Sequence, residues 1–378
     1  MTFDRRKFLI GSLAAAGAAA CGSSKEPSKP AAPAPAPKQA DPATKKSILV
    51  LGGTGFLGPH VVEYAKARGH TITLFNRGKT RPNLFPDVEK LQGDRDGKLE
   101  ALKGRTWDAV VDTSGYVPRI VKMSAELLAP SVQQYIFVST ISVYDDSKGN
   151  PNDDETAPLQ TLADATNEDV RANYGALKAL SEQAAEAAMP KRVANIRPGL
   201  LVGPGDQTGR FSHWVTRTAA GGEVLAPGDG TTPTQWIDGR DLGAWIVRAI
   251  EQNTTGIYNA IGPERRVTIK EVLETCNAAA GNKATLTWVP WDFLKKQDVG
   301  PWAEMPMWIP LEEMKGFGTI SNARAIKAGL TFRPLAETAK DTLAWLDTVP
   351  EENKAKYRSS GIKKDKEAKV LSDWKARK

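Results

Sequence analysis

Cysteine is almost missing: 378 residues hold two, Cys21 and Cys276. Cys21 falls in a leader described below, so Cys276 has no partner and an intramolecular disulfide framework is excluded. Set among apolar residues of a helical pattern, Cys276 is expected to be packed, not reactive. Histidine is nearly as scarce. His60, His70 and His213 stand at no ligand spacing, so no metal site is expected. The one long uncharged apolar run, Phe8 to Ala20, spans 13 residues and is too short for a bilayer core of about 30 Å. The net charge of +7 sits at the chain's ends: Arg5, Arg6 and Lys7 against Asp4 give +2, and residues 351–378 give +5. The body between is close to neutral and offers no basic face, so nucleic acid is not an expected partner.

What is present begins with an address. Arg5-Arg6-Lys7-Phe8-Leu9 is a twin-arginine signature, and with the apolar run and the small residues after it predicts a signal peptide over 1–20. The twin-arginine translocase is thus an expected partner, and the periplasm or cell envelope the expected location. Ala18-Ala19-Ala20-Cys21 has two readings: a diacylglycerol on Cys21 that anchors the protein to a membrane, or plain cleavage after Ala20. Residues 21–46 run through Pro, Ala, Ser and Lys and read as a tether that buries no core. The folded body is expected from Ser47. A lack of disulfides suits folding before transport.

From there the pattern is α/β. Ser47–Leu51 is a short apolar strand ending in Gly52-Gly53-Thr54-Gly55-Phe56-Leu57-Gly58, and Leu57–Arg68 reads as a helix. Glycines on a strand-to-helix turn bring a pyrophosphate close to backbone N–H groups. Gly52, Gly55, Phe56, Leu57 and Gly58 are the candidate contacts. A second strand, Thr71–Phe75, leads to Asn76, Arg77, Lys79 and Arg81, about 20 residues past the glycines. A neutral amide followed by cations favours NADP over NAD. Asp94, ending a third strand over 88–94, is placed to meet the adenine. Asp108–Asp112 forms a fourth strand leading to Ser114 and Gly115 beside the cofactor, and Gln134–Val138 a fifth. Strands alternating with helices such as Arg119–Ala129 specify a Rossmann-type, doubly wound parallel sheet.

The chemistry is carried by Tyr174-Gly-Ala-Leu-Lys178. Tyr174 and Lys178 are four apart, so both leave one face of a helix over 174–188. A tyrosine titrates near pH 10, so working as a base near pH 7 takes about 4 kcal/mol of help from positive charge, here Lys178 and an oxidised nicotinamide. A hydroxyl at the end of strand five completes the set: Thr140, with Ser139 as competitor. Tyr174 then takes the hydroxyl proton as hydride leaves carbon for the nicotinamide.

These residues resemble the extended short-chain dehydrogenase/reductases, which include the NAD-dependent epimerases and dehydratases. The resemblance runs from Ser47 to about Gly262, through Gly52-x-x-Gly55-x-x-Gly58, Ser139-Thr140-Ile141-Ser142-Val143-Tyr144, Tyr174-x-x-x-Lys178 and Arg197-Pro198-Gly199. It continues through Trp236-Ile237-Asp238-Gly239-Arg240-Asp241-Leu242 and Gly256-Ile257-Tyr258-Asn259. It implies the triad Thr140, Tyr174 and Lys178, with Lys178 also on the cofactor. Phe75-Asn76-Arg77-Gly78 and Gly93-Asp94-Arg95-Asp96 look like an atypical branch, one that also holds a chloroplast RNA-binding member. Two departures stand out. The stretch between Thr140 and Tyr174 is long and acidic (Asp145, Asp146, Asp153, Asp154, Glu155), as for a lid at the site mouth. Thr234 stands where nucleotide-sugar epimerases carry an arginine for diphosphate, which argues against a nucleotide-diphosphate substrate.

The expected organisation is a dinucleotide domain over 47–198 completed by 236–262, a smaller α/β substrate lobe from 199–235 and 263–350, and a charged C-terminal helix over 351–378. Val370, Leu371 and Trp374 give that helix a face for docking on the body. Arg210, His213 and Trp214 follow a glycine-rich loop and are the candidate substrate contacts. Trp288, Trp291, Trp302 and Trp308, with Met305 and Met307, read either as lobe core or as a surface for sugar C–H faces. The expected activity is that of an exported NAD(P)-dependent epimerase, dehydratase or oxidoreductase. It would act on an alcohol carbon of a small, sugar-like substrate, with the cofactor tightly held and a homodimer as an open assembly state. The alternative is a non-catalytic NAD(P)-binding scaffold or redox sensor.

Overall fold

The computed structural model describes residues 44–145, 150–164, 166–357 and 360–377. The twin-arginine segment, Cys21, the tether to residue 43, and Asp146 lie outside the described residues.

The first half alternates strand and helix: β1 Ser47–Leu51, α1 Leu57–Ala67, β2 Thr71–Asn76, β3 Glu89–Gln92, β4 Trp107–Asp112, α2 Pro118–Leu128, β5 Val132–Val138, α3 Val170–Ala188 and β6 Val193–Pro198. Local chemistry sets the ends. Pro118 opens α2, where a missing N–H costs nothing. Asp169 caps α3 by accepting the N–H groups of Arg171 and Ala172. Beyond β6 come β7 Leu200–Val202, α4 Arg210–Ala219, β8 Gly222–Pro227, β9 Pro233–Asp238, α5 Gly239–Glu251, β10 Gly256–Ala260, β11 Gly262–Thr268, α6 Ile269–Ala279 and β12 Ala284–Val289. The chain ends in helices α7 Trp291–Lys296, α8 Ala323–Lys327, α9 Leu335–Thr348, α10 Glu351–Tyr357 and α11 Lys364–Ala376.

Seven strands form one parallel sheet in the order β10-β6-β5-β4-β1-β2-β3. The architecture is the expected Rossmann-type α/β fold. Period-two alternation splits its core: Ile48 and Val50 join α1 and α5 on one face, while Leu49 and Leu51 join α2 and α3 on the other. The chain leaves β1 toward β2 on one side and later crosses to β4 on the other. That reversal opens a crevice at the strands' carboxyl ends, bounded by Gly52–Gly55 and by Asp112–Gly115.

The second half builds the lobe from β11-β9-β7, the parallel pair β12-β8, and helices α4, α6, α7, α9 and α11 around one cluster. Two expected boundaries shift. The stretch around α8 lies on the sheet half, with Ala325 and Leu330 in the α1/α5 cluster. The charged tail is two helices, not one, and the second belongs to the lobe. Val370 and Leu371 are buried there, at about 1.5–3 kcal/mol each, and Glu367 holds Arg217 at 2.8 Å and the Leu225 N–H at 3.0 Å. Cys276 is fully buried in the same cluster.

Candidate active site

The glycine turn is built for close approach. Gly52 takes φ +107°, open to glycine and little else. A Cβ on Gly58 would stand 2.4 Å from the Gly53 Cα, so α1 rests directly on the turn. A Cβ on Gly55 would meet nothing within 4 Å, so the face of the turn is open. Phe56 gives α1 no side-chain cap and its first turn holds no acid, which leaves N–H groups free for an anion. These features fit a dinucleotide pyrophosphate. Gly58→Ala is expected to cost about 1–3 kcal/mol by overpacking and to weaken nucleotide uptake; a urea midpoint and a nucleotide titration read the two effects.

The residues after β2 divide. The Asn76 carboxamide is engaged by its own loop, accepting from the Gly78 N–H at 2.8 Å and donating to the Gly52 carbonyl at 3.3 Å. Arg77 is exposed. Arg81 instead reaches the turn and donates to the carbonyls of Thr54 and Gly55. Asp94 accepts the Asp96 N–H at 3.1 Å within the loop after β3.

Across the crevice, Ser114 and Gly115 are held from below by a buried network that the sequence did not announce. Asp112 accepts Arg95 at 2.6 Å, the Tyr135 hydroxyl at 2.9 Å and the Ser114 N–H at 3.0 Å. Tyr116 follows, 46 % exposed, its ring 6.4 Å from that of Tyr174. Sequence reasoning passed over it, although an aromatic directly after a strand-end Gly was a signal.

Tyr174 is aimed by two local features. Helix α3 is kinked at Asn173, whose φ/ψ of −128°/28° is not helical. A Cβ on Gly175 would fall 2.0 Å from the Ser142 carbonyl, so only glycine lets α3 close on the turn after β5. The phenol thereby meets the Thr140 side chain. Thr140 also accepts the Ser142 N–H at 3.1 Å, whereas the Ser139 hydroxyl is buried with no hydrogen-bond partner. Burial pushes the phenol up to about 12, with Tyr116 adding to the rise, while the Thr140 hydrogen bond and the Arg210 charge pull it down.

Lys178 is tied to the sheet. It shares the helix face with Tyr174, yet its Nζ donates to the carbonyls of Gly115 at 2.5 Å and Val138 at 2.7 Å and lies 4.1 Å over the Phe137 ring. Two carbonyls hold the ammonium toward the sheet. Burial pulls its pKa down to about 7, against the opposing charges of Asp112 and Glu182.

The substrate candidates separate. The charge of Arg210 acts on the phenol, and its guanidinium lies 5.1 Å over Trp302. Trp214 is lobe core, its indole N–H donated to the Pro306 carbonyl at 2.7 Å. His213 is buried against Gly361, and burial pulls its pKa down to about 4. Both His213 and Trp214 are among the buried residues of α4, and Trp214 stands in the core stripe it forms with Phe211, Val215 and Thr218. The tryptophan cluster also divides: Trp308, Met305 and Met307 are core, and Trp302 alone meets Arg210. Glu155, expected in an acidic lid, is buried instead, accepting the Asn259 N–H at 2.9 Å beside Arg324. Thr234 is buried too, its hydroxyl on the Met307 carbonyl at 2.8 Å.

Residues 48–261 match the model of the NAD dependent epimerase/dehydratase family. The chain is 27% identical over 260 residues to the chloroplast stem-loop binding protein of 41 kDa b of Arabidopsis thaliana, covering 63% of this chain and 64% of that one. It is 29% identical over 223 residues to the 2-alkyl-3-oxoalkanoate reductase of Stenotrophomonas maltophilia, covering 53% and 64%. It therefore spans under two thirds of either relative. The UDP-N-acetylglucosamine 4-epimerase structure from Bacillus cereus superposes with a TM-score of 0.59 at 20% identity, over 80% of this chain and 97% of that one.

Proposed function

Because the chain belongs to the NAD-dependent epimerase/dehydratase family, we propose that it oxidises an alcohol carbon of a small, sugar-like substrate, with Tyr174 as the base. The observation that carries this is the Tyr174 ring 6.4 Å from that of Tyr116, next to Gly115 on the crevice's edge, with the Thr140 side chain acting on its phenol. Thr140 holds the reacting oxygen, Tyr174 takes its proton, and the Arg210 charge together with that hydrogen bond favours the phenolate. Lys178 fixes the Gly115 and Val138 carbonyls that frame the site. A bound nicotinamide supplies the hydride acceptor. NADP is the form favoured, by the exposed Arg77 and Lys79 after β2.

The twin-arginine segment further supports export, with a lipid on Cys21 holding the protein to the cell envelope. Beyond the cytoplasm no nicotinamide pool recharges a spent cofactor. The favoured chemistry is therefore self-regenerating around a tightly held NADP or NAD: epimerisation, dehydration, or paired oxidation and reduction. Mass spectrometry and absorbance on gently purified, then denatured, protein test this. Released NADP or NAD supports a resident cofactor; an empty protein sinks it. One observation favours a second reading, a non-catalytic NAD(P)-binding sensor: Lys178 donates its ammonium to two backbone carbonyls.

A further inference from the structure

Arg210 stands apart from the arginines that are paired with carboxylates in the described residues. Arg95, Arg197, Arg217, Arg240 and Arg333 each grip a carboxylate, as a guanidinium withdrawn from water requires. Arg210 is also withdrawn, and burial pulls its pKa down. Among the described residues, however, its guanidinium makes no hydrogen bond or ion pair and has only the Trp302 face at 5.1 Å. Trp302 is a fixed platform: its φ is +60°, its N–H donates to the Trp308 carbonyl at 2.9 Å, and its ring meets Phe317 edge-on at 6.1 Å. Asp206, four residues before Arg210, is 0 % exposed. Its Oδ1 accepts the Thr208 N–H at 2.7 Å, and its Oδ2 has no partner. The charges of Asp206 and Tyr174 both act on Arg210, so an unpaired cation, a fixed aromatic face and an unsatisfied carboxyl converge beside the proposed base.

We propose that this corner of the cleft binds a carboxylate of the substrate, with Arg210 as the receiving fork and Trp302 as its backing. The proposal rests on the reading of Tyr174 as the base. A planar guanidinium matches a carboxylate with two parallel N–H···O bonds. A phosphate dianion fits less well, because Asp206 stands beside the site and Lys178 is engaged elsewhere. The substrate class is thus a sugar acid or a comparable hydroxy acid, not a neutral sugar.

The test is calorimetric titration of the full chain loaded with NAD, using glucuronate, galacturonate, glucose and glucose 6-phosphate as probes. At least one uronate is expected to bind about tenfold or more tighter than glucose. Arg210→Met should bring that uronate down to the glucose value while NAD uptake stays unchanged. Uronates that bind no tighter than glucose, or a preference that survives in Arg210→Met, overturn the proposal. Tighter binding of glucose 6-phosphate than of either uronate also overturns it, in favour of a phosphate. Failure of the underlying reading shows separately, as a wild-type chain that takes up no nicotinamide cofactor when titrated with it alone.

Discussion

Tyr174→Phe is expected to lower turnover by about a hundred- to ten-thousand-fold, the range general acid–base groups contribute, while cofactor uptake stays at the wild-type level. The ring keeps its place: the kink at Asn173 and the contact of Gly175 with the Ser142 carbonyl do not involve the hydroxyl. What disappears is the proton acceptor on Thr140. Single-turnover reduction of bound nicotinamide reads the chemical step, and a nucleotide titration reads the pocket. Unchanged turnover would sink Tyr174 as the base and mean that another group takes the proton. Parallel loss of turnover and cofactor would instead mean that the helix had moved.

Glu182→Ala is expected to cost about 3–5 kcal/mol of stability, the penalty for stranding a buried charge. Arg197 is 1 % exposed and paired with Glu182 through two bonds of 2.6 and 2.9 Å. It also donates to the Tyr144 hydroxyl at 3.0 Å, which donates in turn to Asn259 at 2.6 Å. These groups tie α3, β6, β10 and the segment after β5 together. The cost reaches the site, because α3 carries Tyr174. Urea unfolding reads it, and a loss below about 1 kcal/mol would mean that water reaches the pair.

The sheet half was legible because its signals are local. Short apolar strands end in Gly or Asp, helices follow at 3.6-residue spacing, and Tyr174 sits one turn before Lys178. The role of Arg197 was not, since its motif could be named but its partner lies 15 residues away in another element. For Lys178 the legible part is the helix face; the Gly115 and Val138 carbonyls that take its ammonium are not given by spacing. Trp214 was a different case, because the stripe at 211, 214, 215 and 218 is a core pattern visible in the sequence. Arg210 was named from its place after the glycine loop. Its want of a counter-ion, and the backing of Trp302 from 92 residues away, appear only in three dimensions.

The docking of α11 sets an order of events during synthesis. Strand β1 stands in the middle of the parallel sheet, and every strand of that sheet has been made once residue 260 emerges. The lobe cluster still waits for Val370 and Leu371, and Arg217 and the Leu225 N–H wait for Glu367. A chain stopped short of its last few dozen residues thus has a finished sheet beside an open, apolar lobe, a species of the kind that aggregates or is degraded. Docking of α11 is thus the step that closes the lobe, because the apolar cluster and the Arg217 guanidinium are both left uncovered until it arrives.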